Sequence, residues 1–475
     1  MYGRTHRIHF IGVGGSGMSG IAEVLLTMGY QVSGSDLRAS EVTERIVKLG
    51  GRVFVGHAGA NVEGADVVVF STAVGPDNPE MQRARAIGIP VIGRAEMLAE
   101  LMRMKYGIAV GGAHGKTTTT SLIAAVLARG GLDPTVVVGG RLHALGTNAR
   151  LGHGQFLVAE ADESDGSFLR LAPALTVITN IDREHMDHYG SLDEVRQAFV
   201  YFANRVPFYG VSVLCADDPE VRGILPRITK RALLYGTRDD AELRAEDIRL
   251  EGDRSRFTVL HRGDRLGEIE LKLPGRHNVL NALAAVAVGR EVEIGFAHIA
   301  EALASFPGVA RRFETRGEAA GIRVVDDYGH HPTEVAATLA AARSLGGRRL
   351  VIFQPHRYSR TLALREEFGG CFGDADQVWV LDVYAAGEAP IAGASGESLV
   401  ESAHEHGATH VRYAGDPMAA VDAVAAMARA GDTVLTLGAG DVWKLGDEVL
   451  GRLRARQEAG SSTPAGTTTG RPTGA

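Results

Sequence analysis

The stretch that decides the fold is the glycine-rich segment Gly112-Ala113-His114-Gly115-Lys116-Thr117, which continues as Thr118-Thr119-Thr120. It follows an apolar run, Gly107 to Val110, that predicts a buried strand, and it leads into a helical pattern. The backbone N–H groups of such a loop can surround an anion, the lysine can reach the outer phosphates of a nucleotide, and the hydroxyl of Thr117 can bind Mg²⁺. A standard P-loop would place glycine at position 110, where this chain has valine. The order of strand, loop and helix is typical of a nucleotide-binding α/β domain.

Acidic side chains follow two further predicted strands, Phe156 to Ala159 and Leu175 to Ile178. They are Glu160, Asp162, Glu163 and Asp165 after the first strand, and Asp182 and Glu184, with Asn180 and His185, after the second. Carboxylates at strand ends beside a phosphate loop suit Mg²⁺, which prefers oxygen ligands. We expect Glu163 and Glu184 to belong to a solvated acidic loop rather than to the site.

A second glycine loop, Gly12-Val13-Gly14-Gly15-Ser16-Gly17, lies between a predicted strand, Ile8 to Val13, and a helix from Met18. Asp36 stands at the end of the next predicted strand. The G-x-G-x-x-G pattern lets the backbone approach a diphosphate at a helix N-terminus. Alone, it predicts a dinucleotide site with Asp36 on a ribose hydroxyl. A UDP-sugar, which also carries a diphosphate and a ribose, fits as well, and a tight turn without a ligand remains an alternative.

Alternating strand and helix patterns fall into three blocks, which predict three α/β domains over residues 1–100, 101–313 and 314–459. The charged, alternating segment Ala241 to Leu273 predicts antiparallel strands in the second block. Residues 460–475 consist mainly of Gly, Ser, Thr and Pro, so we expect a disordered tail. The strands predicted in the third block are Ile322–Val325, Leu350–Phe353, Val378–Leu381 and Thr433–Leu437.

Composition narrows the class of protein. The formal net charge of −7 gives no sign of a nucleic-acid-binding or membrane-binding surface. The hydrophobic fraction of 45% is enough for several cores, but no apolar run is long enough to span a bilayer. Cys215 and Cys371 are the only cysteines, which argues against a disulfide framework. With no signal-peptide pattern at the start, these features predict a cytoplasmic protein with small-molecule partners.

Nine short stretches, in this order along nearly the whole chain, together resemble the Mur ligases. They are Gly12 to Met18, Ser71-Thr72-Ala73-Val74, Gly112 to Thr120, Glu160 to Asp165, Thr179-Asn180-Ile181 with His185, Gly275-Arg276-His277-Asn278, Arg311-Arg312-Phe313, Asp326 to Pro332, and Gln354 to Tyr358. The resemblance implies a UDP-binding Rossmann-like domain, a central P-loop-type ATPase domain with a mixed sheet, and a C-terminal Rossmann-like domain.

The branch of the family that is matched adds L-alanine to the carboxylate of UDP-N-acetylmuramate, with ATP and Mg²⁺, through an acyl phosphate. Other branches carry a carbamylated lysine soon after the position of His185, and residues 182–205 contain no lysine. A branch that attaches a whole tripeptide to the same sugar during recycling is the alternative. Folylpolyglutamate synthase shares the central domain but not the N-terminal UDP-binding domain. An NAD-dependent oxidoreductase or a non-catalytic nucleotide-binding regulator explains fewer of the motifs.

The resemblance also implies roles for single residues. The residues expected to bind the UDP-sugar are Gly14, Gly15, Ser16, Gly17, Ser71, Thr72, Thr147 and Asn148. Those expected at ATP are Gly112, Ala113, His114, Gly115, Lys116, Thr117, Thr118, Asn278, Arg312 and Asp326. Lys116, Glu160 and His185 form the expected catalytic set, and Thr117, Glu160 and His185 the metal ligands. The amino-acid side would be lined by Tyr328, His330, His356 and Arg357.

Three alternatives and departures accompany these roles. Ala113 stands where many relatives carry threonine, which removes one possible phosphate contact. Arg357 could serve the phosphates instead of the amino acid. His331, which precedes Pro332, could simply cap the helix that follows.

Overall fold

The computed structural model describes residues 6–71, 73–142 and 147–461, without the side chains of residues 16, 139–142, 147, 148, 187 and 459–461. Its chain divides into two compact units, one comprising the described residues up to 250 with 254–310, the other residues 251–253 with those from 311. The first unit contains a five-stranded and a ten-stranded sheet, and the second a six-stranded sheet. The predicted class, three α/β domains with a mixed central sheet, is confirmed.

The first sheet is entirely parallel and has the strand order β3-β2-β1-β4-β5. Its elements are β1 Arg7–Ile11, α1 Ser16–Thr27, β2 Gln31–Asp36, α2 Glu41–Lys48, β3 Arg52–Val55, β4 Val67–Phe70, α3 Pro79–Ala86, β5 Val91–Gly93 and α4 Arg94–Arg103, with a 3-10 turn at Gly59–Val62. Since β2 and β4 lie on opposite sides of β1, the order reverses there and opens a crevice at the carboxyl end of β1.

The second sheet has the order β15-β14-β13-β12-β11-β10-β6-β9-β7-β8. The pairs β14–β15 and β7–β8 are antiparallel, as the pattern in 241–273 predicts for the first of them, whereas β13 pairs in parallel with β12. Its elements are β6 Tyr106–Gly111, α5 Lys116–Arg129, β7 Thr135–Leu142, β8 Thr147–Arg150, β9 Phe156–Glu160, β10 Leu175–Ile178, α6 Met186–Tyr189, α7 Leu192–Ala203, β11 Val211–Cys215, α8 Pro219–Ile224, β12 Ala232–Gly236, β13 Leu243–Glu251, β14 Arg254–His261, β15 Asp264–Leu271, α9 Arg276–Glu291 and α10 Phe296–Ala304, with 3-10 turns at Ser167–Arg170 and Leu225–Arg227.

The third sheet has the order β16-β17-β21-β18-β19-β20, with only the β16–β17 pair antiparallel. Its elements are β16 Glu314–Ala319, β17 Ile322–Asp327, α11 Pro332–Ala342, β18 Arg349–Phe353, α12 Tyr358–Ala363, α13 Arg365–Gly370, β19 Gln377–Leu381, α14 Gly396–Glu405, β20 Val411–Gly415, α15 Pro417–Met427, β21 Thr433–Leu437 and α16 Trp443–Ser461, with a 3-10 turn at Arg343–Leu345.

The end of α16 corrects one expectation. Gly460 and Ser461, which the composition assigned to a disordered tail, still belong to the helix. The rest of the predicted tail, residues 462–475, lies outside the described residues. Within the part of the chain that is described, no helix combines the length and the apolarity needed to cross a bilayer.

Three phenylalanines anchor the helical layer over the central sheet. Phe168, Phe199 and Phe202 are at most 1% exposed, and the ring of Phe168 lies 5.4 Å from that of Phe199 and 5.0 Å from that of Phe202. Phe202 and Phe199 also lie against Gly111, the last residue of β6. The packing therefore supports the strand that leads into the phosphate loop.

We expect Phe202→Ala to lower the free energy of unfolding by about 3–5 kcal/mol, since it leaves a cavity beside Phe168. Urea unfolding of the variant and the wild type would measure this. Phe208→Ala is the control, because that ring is 92% exposed, and it should change the free energy by less than about 0.5 kcal/mol. Equal losses in both variants would show that this ring cluster does not stabilise the first unit.

Candidate active site

The phosphate loop joins β6 to α5, and two of its glycines hold conformations that favour glycine. Gly112 has φ +131° and Gly115 has φ +81°. A Cβ at Gly112 would lie 2.1 Å from Thr179 Oγ1, and one at Gly115 would lie 2.7 Å from Asn281 Oδ1. The loop is therefore pressed between the end of β10 and α9, and neither glycine has room for a side chain.

The end of β10 fixes the loop by hydrogen bonds. The carbonyl of His114 accepts from Thr179 Oγ1 at 2.6 Å and from Asn180 Nδ2 at 3.0 Å. The amide of His114 donates to Asn180 Oδ1 at 2.8 Å, and the His114 ring lies 2.9 Å from Asp182 Oδ2. The amide of Ala113 donates to the Asn180 carbonyl. His114 thus shapes the loop through β10, and its ring nitrogen at that contact is engaged with a carboxylate.

Helix α5 begins at Lys116 with no side-chain cap. The first N–H groups of a helix have no partner within the helix, and they carry the positive end of its dipole. The predicted nucleotide contacts Lys116, Thr117 and Thr118 occupy this first turn. An anion placed at the start of α5 would meet these donors directly.

Lys116 is folded onto its own loop. Its Nζ donates to the carbonyls of Gly112 at 2.7 Å and Ala113 at 3.0 Å, and to Glu163 Oε1 at 2.9 Å. Burial by itself lowers the pKa of Lys116, but the attraction of Glu163, Asp162 and Glu184 raises it above its ordinary value. The lysine is therefore a fixed positive charge in this site.

The expectation for Glu163 and Glu184 is wrong. The side chain of Glu163 is only 3% exposed and that of Glu184 only 8%, so neither belongs to a solvated loop. Burial raises the pKa of Glu163 to about 7 against the opposing attraction of Lys116, with repulsion from Asp162 adding to the rise. The sequence could not show this burial, because the contacts of Glu163 are with residues distant in the chain: its carboxylate accepts from Lys116, and its backbone carbonyl accepts from the hydroxyl of Tyr189, a residue that is 6% exposed.

One group of ligand atoms in this unit matches a metal site. Single atoms of Glu163, Glu184 and His185 all lie within 4.8 Å of one another. Glu163 Oε2 is buried and has no hydrogen-bond partner among the described residues. Two carboxylates and an imidazole fit a divalent cation, so the donor set agrees with Mg²⁺. Of the three predicted ligands, only His185 is a member of this group. Glu160 is the last residue of β9, and Thr117 lies in the first turn of α5.

Asn278 belongs to a buried polar chain between α9 and α5. Its Nδ2 donates to the Pro274 carbonyl at 2.8 Å, and its Oδ1 accepts from Asn281 Nδ2 at 3.1 Å. Asn281 Oδ1 in turn accepts from Thr119 Oγ1 at 3.1 Å. Asn278 is 6% exposed, so the structure places it where it supports α5. Asn281, the link in this chain, is a residue that the sequence did not single out.

The N-terminal glycine loop borders a cavity of about 660 Å³. That volume lies within the range of small-molecule sites. Its walls include Gly14, Gly15, Ser71, Asp36 and His57. Asp36 Oδ2 accepts from the Gly14 amide at 2.9 Å, so this carboxylate holds the loop. The loop residue Gly17 has no room for a Cβ, which would lie 2.6 Å from Arg94 Nη1.

Several predicted sugar-binding residues cannot be assigned a contact. Thr72 lies outside the described residues. The backbone of Ser16 begins α1, and the backbones of Thr147 and Asn148 form the start of β8, but their side chains are not described. Their proposed contacts stay predictions.

A buried network lies behind this cavity. Glu80 is 0% exposed and accepts from Ser35 Oγ at 2.6 Å and from Asn61 Nδ2 at 2.5 Å. His57 Nδ1 lies 3.2 Å from the same carboxylate. Burial favours protonation of Glu80, but its contact with His9 at 3.7 Å and the hydrogen bonds from Ser35 and Asn61 lower its pKa to about 2. A buried anion thus orients His57, which lines the cavity.

In the second unit, Arg311 ties three segments together. Its guanidinium donates to Asp326 Oδ2 at 3.0 Å and to the carbonyls of Gly438 at 2.6 Å and Gly440 at 3.1 Å. Asp326 is 0% exposed, and burial raises its pKa despite Arg311. Asp326, a predicted nucleotide contact, thus supports the loop after β21. Arg312 lies over the ring of Tyr328, with 5.1 Å between its Cζ and the ring centroid.

The residues predicted on the amino-acid side form a row of rings. The ring of His330 lies 5.3 Å from that of Tyr328 and 5.6 Å from that of His356. The ring of His356 stacks on that of Tyr384, with 5.5 Å between the centroids. Tyr384 follows β19, and no sequence motif singled it out. Burial, with repulsion from His330, Arg360 and Arg357, lowers the pKa of His356 to about 4, so its ring is neutral.

Two further predictions concern the ends of this row. Arg357 has φ +70° and donates its amide to the Tyr384 carbonyl at 2.9 Å, which holds the two loops together. His331 caps α11, since its Nδ1 accepts from the Thr333 amide at 3.3 Å. The capping role considered for His331 is confirmed.

Comparison with known proteins gives three family matches. The Mur ligase family catalytic domain matches residues 7–106, the Mur ligase middle domain residues 110–289, and the Mur ligase glutamate ligase domain residues 311–440. The UDP-N-acetylmuramate–L-alanine ligase of Geobacter sp. strain M21 is 57% identical over 461 residues, which cover 97% of this chain and 100% of the relative. That of Geobacter sulfurreducens is 55% identical, with 97% and 100% covered.

Solved structures show the same architecture. The UDP-N-acetylmuramate–alanine ligase MurC of Thermotoga maritima superposes with a TM-score of 0.77 at 30% identity, covering 95% of this chain and 99% of that one. A murein peptide ligase of Psychrobacter arcticus superposes with a TM-score of 0.68 at 23% identity, covering 94% and 98%. At 23% identity, the similarity to the murein peptide ligase shows a shared fold alone.

We expect Gly115→Ala to weaken the binding of ADP at least about tenfold, because the added Cβ displaces Asn281 and the loop. Calorimetric titration with ADP would measure it. Gly131→Ala is the matched control, since Gly131 has φ +79° and open space around it. Both variants bear the roughly 1–2 kcal/mol cost of a left-handed alanine, but only the first should lose affinity. Equal affinities would mean that the close approach of Asn281 does not shape the loop.

Proposed function

Because the chain belongs to the Mur ligase family, we propose that it joins L-alanine to the carboxylate of UDP-N-acetylmuramate, with ATP converted to ADP and phosphate. The observation that carries the proposal is the 57% identity to an alanine ligase over 97% of this chain. The product would be a precursor of peptidoglycan. A cytoplasmic location accords with ATP and a nucleotide-linked sugar as substrates.

The alternative is a ligase that attaches a tripeptide to the same sugar. The alanine ligase of Thermotoga maritima is the more similar of the two solved structures, in TM-score and in identity. Both kinds of enzyme share the nucleotide and sugar sites, so the difference must lie on the amino-acid side. The ring row Tyr328, His330, His356 and Tyr384 supports a small pocket there.

The first chemical step brings two anions together. An oxygen of the sugar carboxylate attacks the γ-phosphorus of ATP, the bond to the β-phosphate oxygen breaks, and an acyl phosphate and ADP result. Lys116 and the N–H groups at the start of α5 stabilise the negative charge on the transferred phosphoryl group. Gly14 and Gly15, at the first cavity, would hold the diphosphate of the sugar nucleotide.

A Mg²⁺ ion fits Glu163, Glu184 and His185, and Glu160 and Thr117 remain proposed ligands at neighbouring strand and helix ends. When bound, it supplies positive charge to the phosphates during the transfer. Glu163, which accepts a hydrogen bond from Lys116 Nζ at 2.9 Å, would be shared between this lysine and the proposed ion.

In the second step the amine of alanine attacks the carbonyl carbon, the bond to the phosphate oxygen breaks, and phosphate leaves. The amine must also lose a proton before it attacks. His356, whose pKa is lowered to about 4, is a weak base, but its neutral ring does not repel an incoming ammonium group, so we propose that the row around it receives the amino acid. Arg357 would pair with the alanine carboxylate. Asn278, Arg312 and Asp326 are proposed to support the nucleotide.

We expect Lys116→Ala to reduce kcat at least ~10²–10³-fold, by analogy with the loss of one transition-state donor. Its side chain contacts loop carbonyls and Glu163 rather than the core, so the fold should persist. Phosphate release with all three substrates would measure the rate. Lys230→Ala, a lysine outside the site, is the control. A loss below tenfold would remove Lys116 from the phosphates.

We expect Glu163→Gln to raise the Mg²⁺ concentration needed for half-maximal activity, because it removes a buried charge from the proposed ligand group. Titration of Mg²⁺ at saturating substrates would measure the shift, with Glu160→Gln and His185→Ala treated alike. Asp165→Asn, in the same acidic segment but outside that group, should titrate like the wild type. If the Glu163, Glu160 and His185 variants gave the same Mg²⁺ titration as the wild type, these side chains would be eliminated as ligands, direct or through water.

We expect L-alanine to be used in preference to the tripeptide, and glycine and L-serine to be poor but detectable substrates. A pocket distinguishes one methylene by only about 1–3 kcal/mol. Competition between alanine and tripeptide at equal concentration would measure the choice. His330→Ala should raise the KM for alanine, and His298→Ala, on α10, should not. Preference for the tripeptide would assign the chain to the recycling branch.

A further inference from the structure

A second cavity lies in the first unit, at the end of the central sheet opposite to the phosphate loop. Its volume is about 690 Å³. Its lining includes Tyr106, the first residue of β6, together with Gln155 and Ala174, which immediately precede β9 and β10. The six residues of β6 separate it from the phosphate loop by roughly 20 Å, at about 3.3 Å per residue. The cavity is therefore distinct from the site described above.

The charges that line this cavity are all positive. Arg103, Lys105 and Arg205 contribute to it, and none of its lining residues is acidic. Arg103 forms an ion pair with Glu100. Over the described ranges, Lys105 and Arg205 have no carboxylate within ion-pair distance, and the hydrogen bonds of these two side chains go to carbonyls and one hydroxyl. Asp133 attracts Lys105 from beyond that distance. Two cations that share one cavity without an ion-pair partner favour an anionic occupant.

Lys105 is held in place before any ligand arrives. Its Nζ donates to the carbonyls of Gly152 at 3.0 Å and Gly154 at 2.6 Å. The turn that carries them is pressed against residues 132–134, since a Cβ at Gly154 would lie 1.7 Å from the Leu132 carbonyl oxygen. Burial lowers the pKa of Lys105, with Asp133 opposing the shift. Little side-chain freedom is left to lose when a ligand binds.

Aromatic and apolar surfaces flank these cations. Tyr106 is 47% exposed and Tyr209 59%, and both line the cavity, as do Met102 and Pro207. The faces of exposed tyrosines can stack on a planar ring. Arg205 is oriented by Tyr201, whose hydroxyl accepts from Nη1 at 3.2 Å. The cavity thus combines two cations that have no ion-pair partner with two aromatic faces.

We propose that this cavity is a second ligand site, which binds a small molecule with a planar ring and a phosphate group, a nucleoside monophosphate being the simplest. The phosphate would lie between Lys105 and Arg205, and the ring would contact Tyr106 or Tyr209.

The test uses the methyl groups of Met102 and Met104, which both line the cavity, as local NMR reporters. The full-length protein is ¹³C-labelled at the methionine methyls and saturated with UDP-N-acetylmuramate and a non-hydrolysable ATP analogue, so that the catalytic sites are filled. UMP, uridine and inorganic pyrophosphate are then titrated separately. UMP should shift both signals saturably, pyrophosphate should bind more weakly, and uridine should bind at least about tenfold more weakly than UMP, because it lacks the charge.

Charge variants complete the test. Lys105→Gln/Arg205→Gln should weaken UMP binding at least about tenfold, whereas Arg265→Gln/Lys272→Gln, which removes the same charge near β15, should not. If the double variant fails to fold, Arg205→Gln alone leaves the Lys105 turn intact and should still weaken binding several-fold. Absence of a shift with UMP, equal binding of uridine, or wild-type affinity in the charge variants would overturn the proposal.

Discussion

The shape of the phosphate loop depends on two hydrogen bonds, those from Thr179 Oγ1 and Asn180 Nδ2 to the carbonyl of His114. They turn this carbonyl towards the end of β10. Because the peptide is trans, the N–H of Gly115 must then point away from β10. That orientation sets the direction of the N–H groups at the start of α5 and of the side chain of Lys116. Most of the phosphate chemistry proposed for this chain therefore depends on the contact between the end of β10 and the loop after β6, two neighbouring parallel strands.

Lys116 forms an ion pair with Glu163 before any ligand binds. Glu163 is buried, and an isolated carboxylate would be costly there, so the ion pair offsets part of its desolvation, while burial still raises the pKa of Glu163 to about 7. An arriving phosphate would compete with Glu163 for the same ammonium. The carboxylate would gain a second positive partner if Glu163, Glu184 and His185 held the proposed divalent cation. Under the proposed function, nucleotide and metal would then each favour the binding of the other.

Much of the fold was predictable from the sequence, because buried parallel strands are continuous apolar runs bounded by glycine or acidic residues. Leu175–Ile178 and Thr433–Leu437 have the predicted bounds. Strand pairing was harder to predict, since β13 belongs to the charged segment 241–273 yet pairs in parallel with β12. Alternation reveals which face is exposed but not the direction of the neighbour.

The site was less predictable than the fold. The loop residues and the acidic strand ends were identified, but local sequence could not show that Glu163 is buried or that Asn281 and Tyr384 take part. Those facts depend on contacts between segments that are distant in the chain, such as Tyr189 with Glu163, α9 with α5, and the loop after β19 with His356. The nucleotide contacts proposed for Asp326 and Asn278 stay predictions. Their described contacts are with Arg311 and with Asn281, respectively.

The proposed reaction can be tested most directly by following the carboxylate oxygens. UDP-N-acetylmuramate labelled with ¹⁸O in its carboxylate is incubated with ATP, Mg²⁺ and L-alanine, and the phosphate released is analysed by mass spectrometry or ³¹P NMR. An acyl phosphate requires that one ¹⁸O from the carboxylate leaves with inorganic phosphate, and that the amide product keeps the other. Label in AMP, or unlabelled phosphate with alanine coupled, would contradict the mechanism.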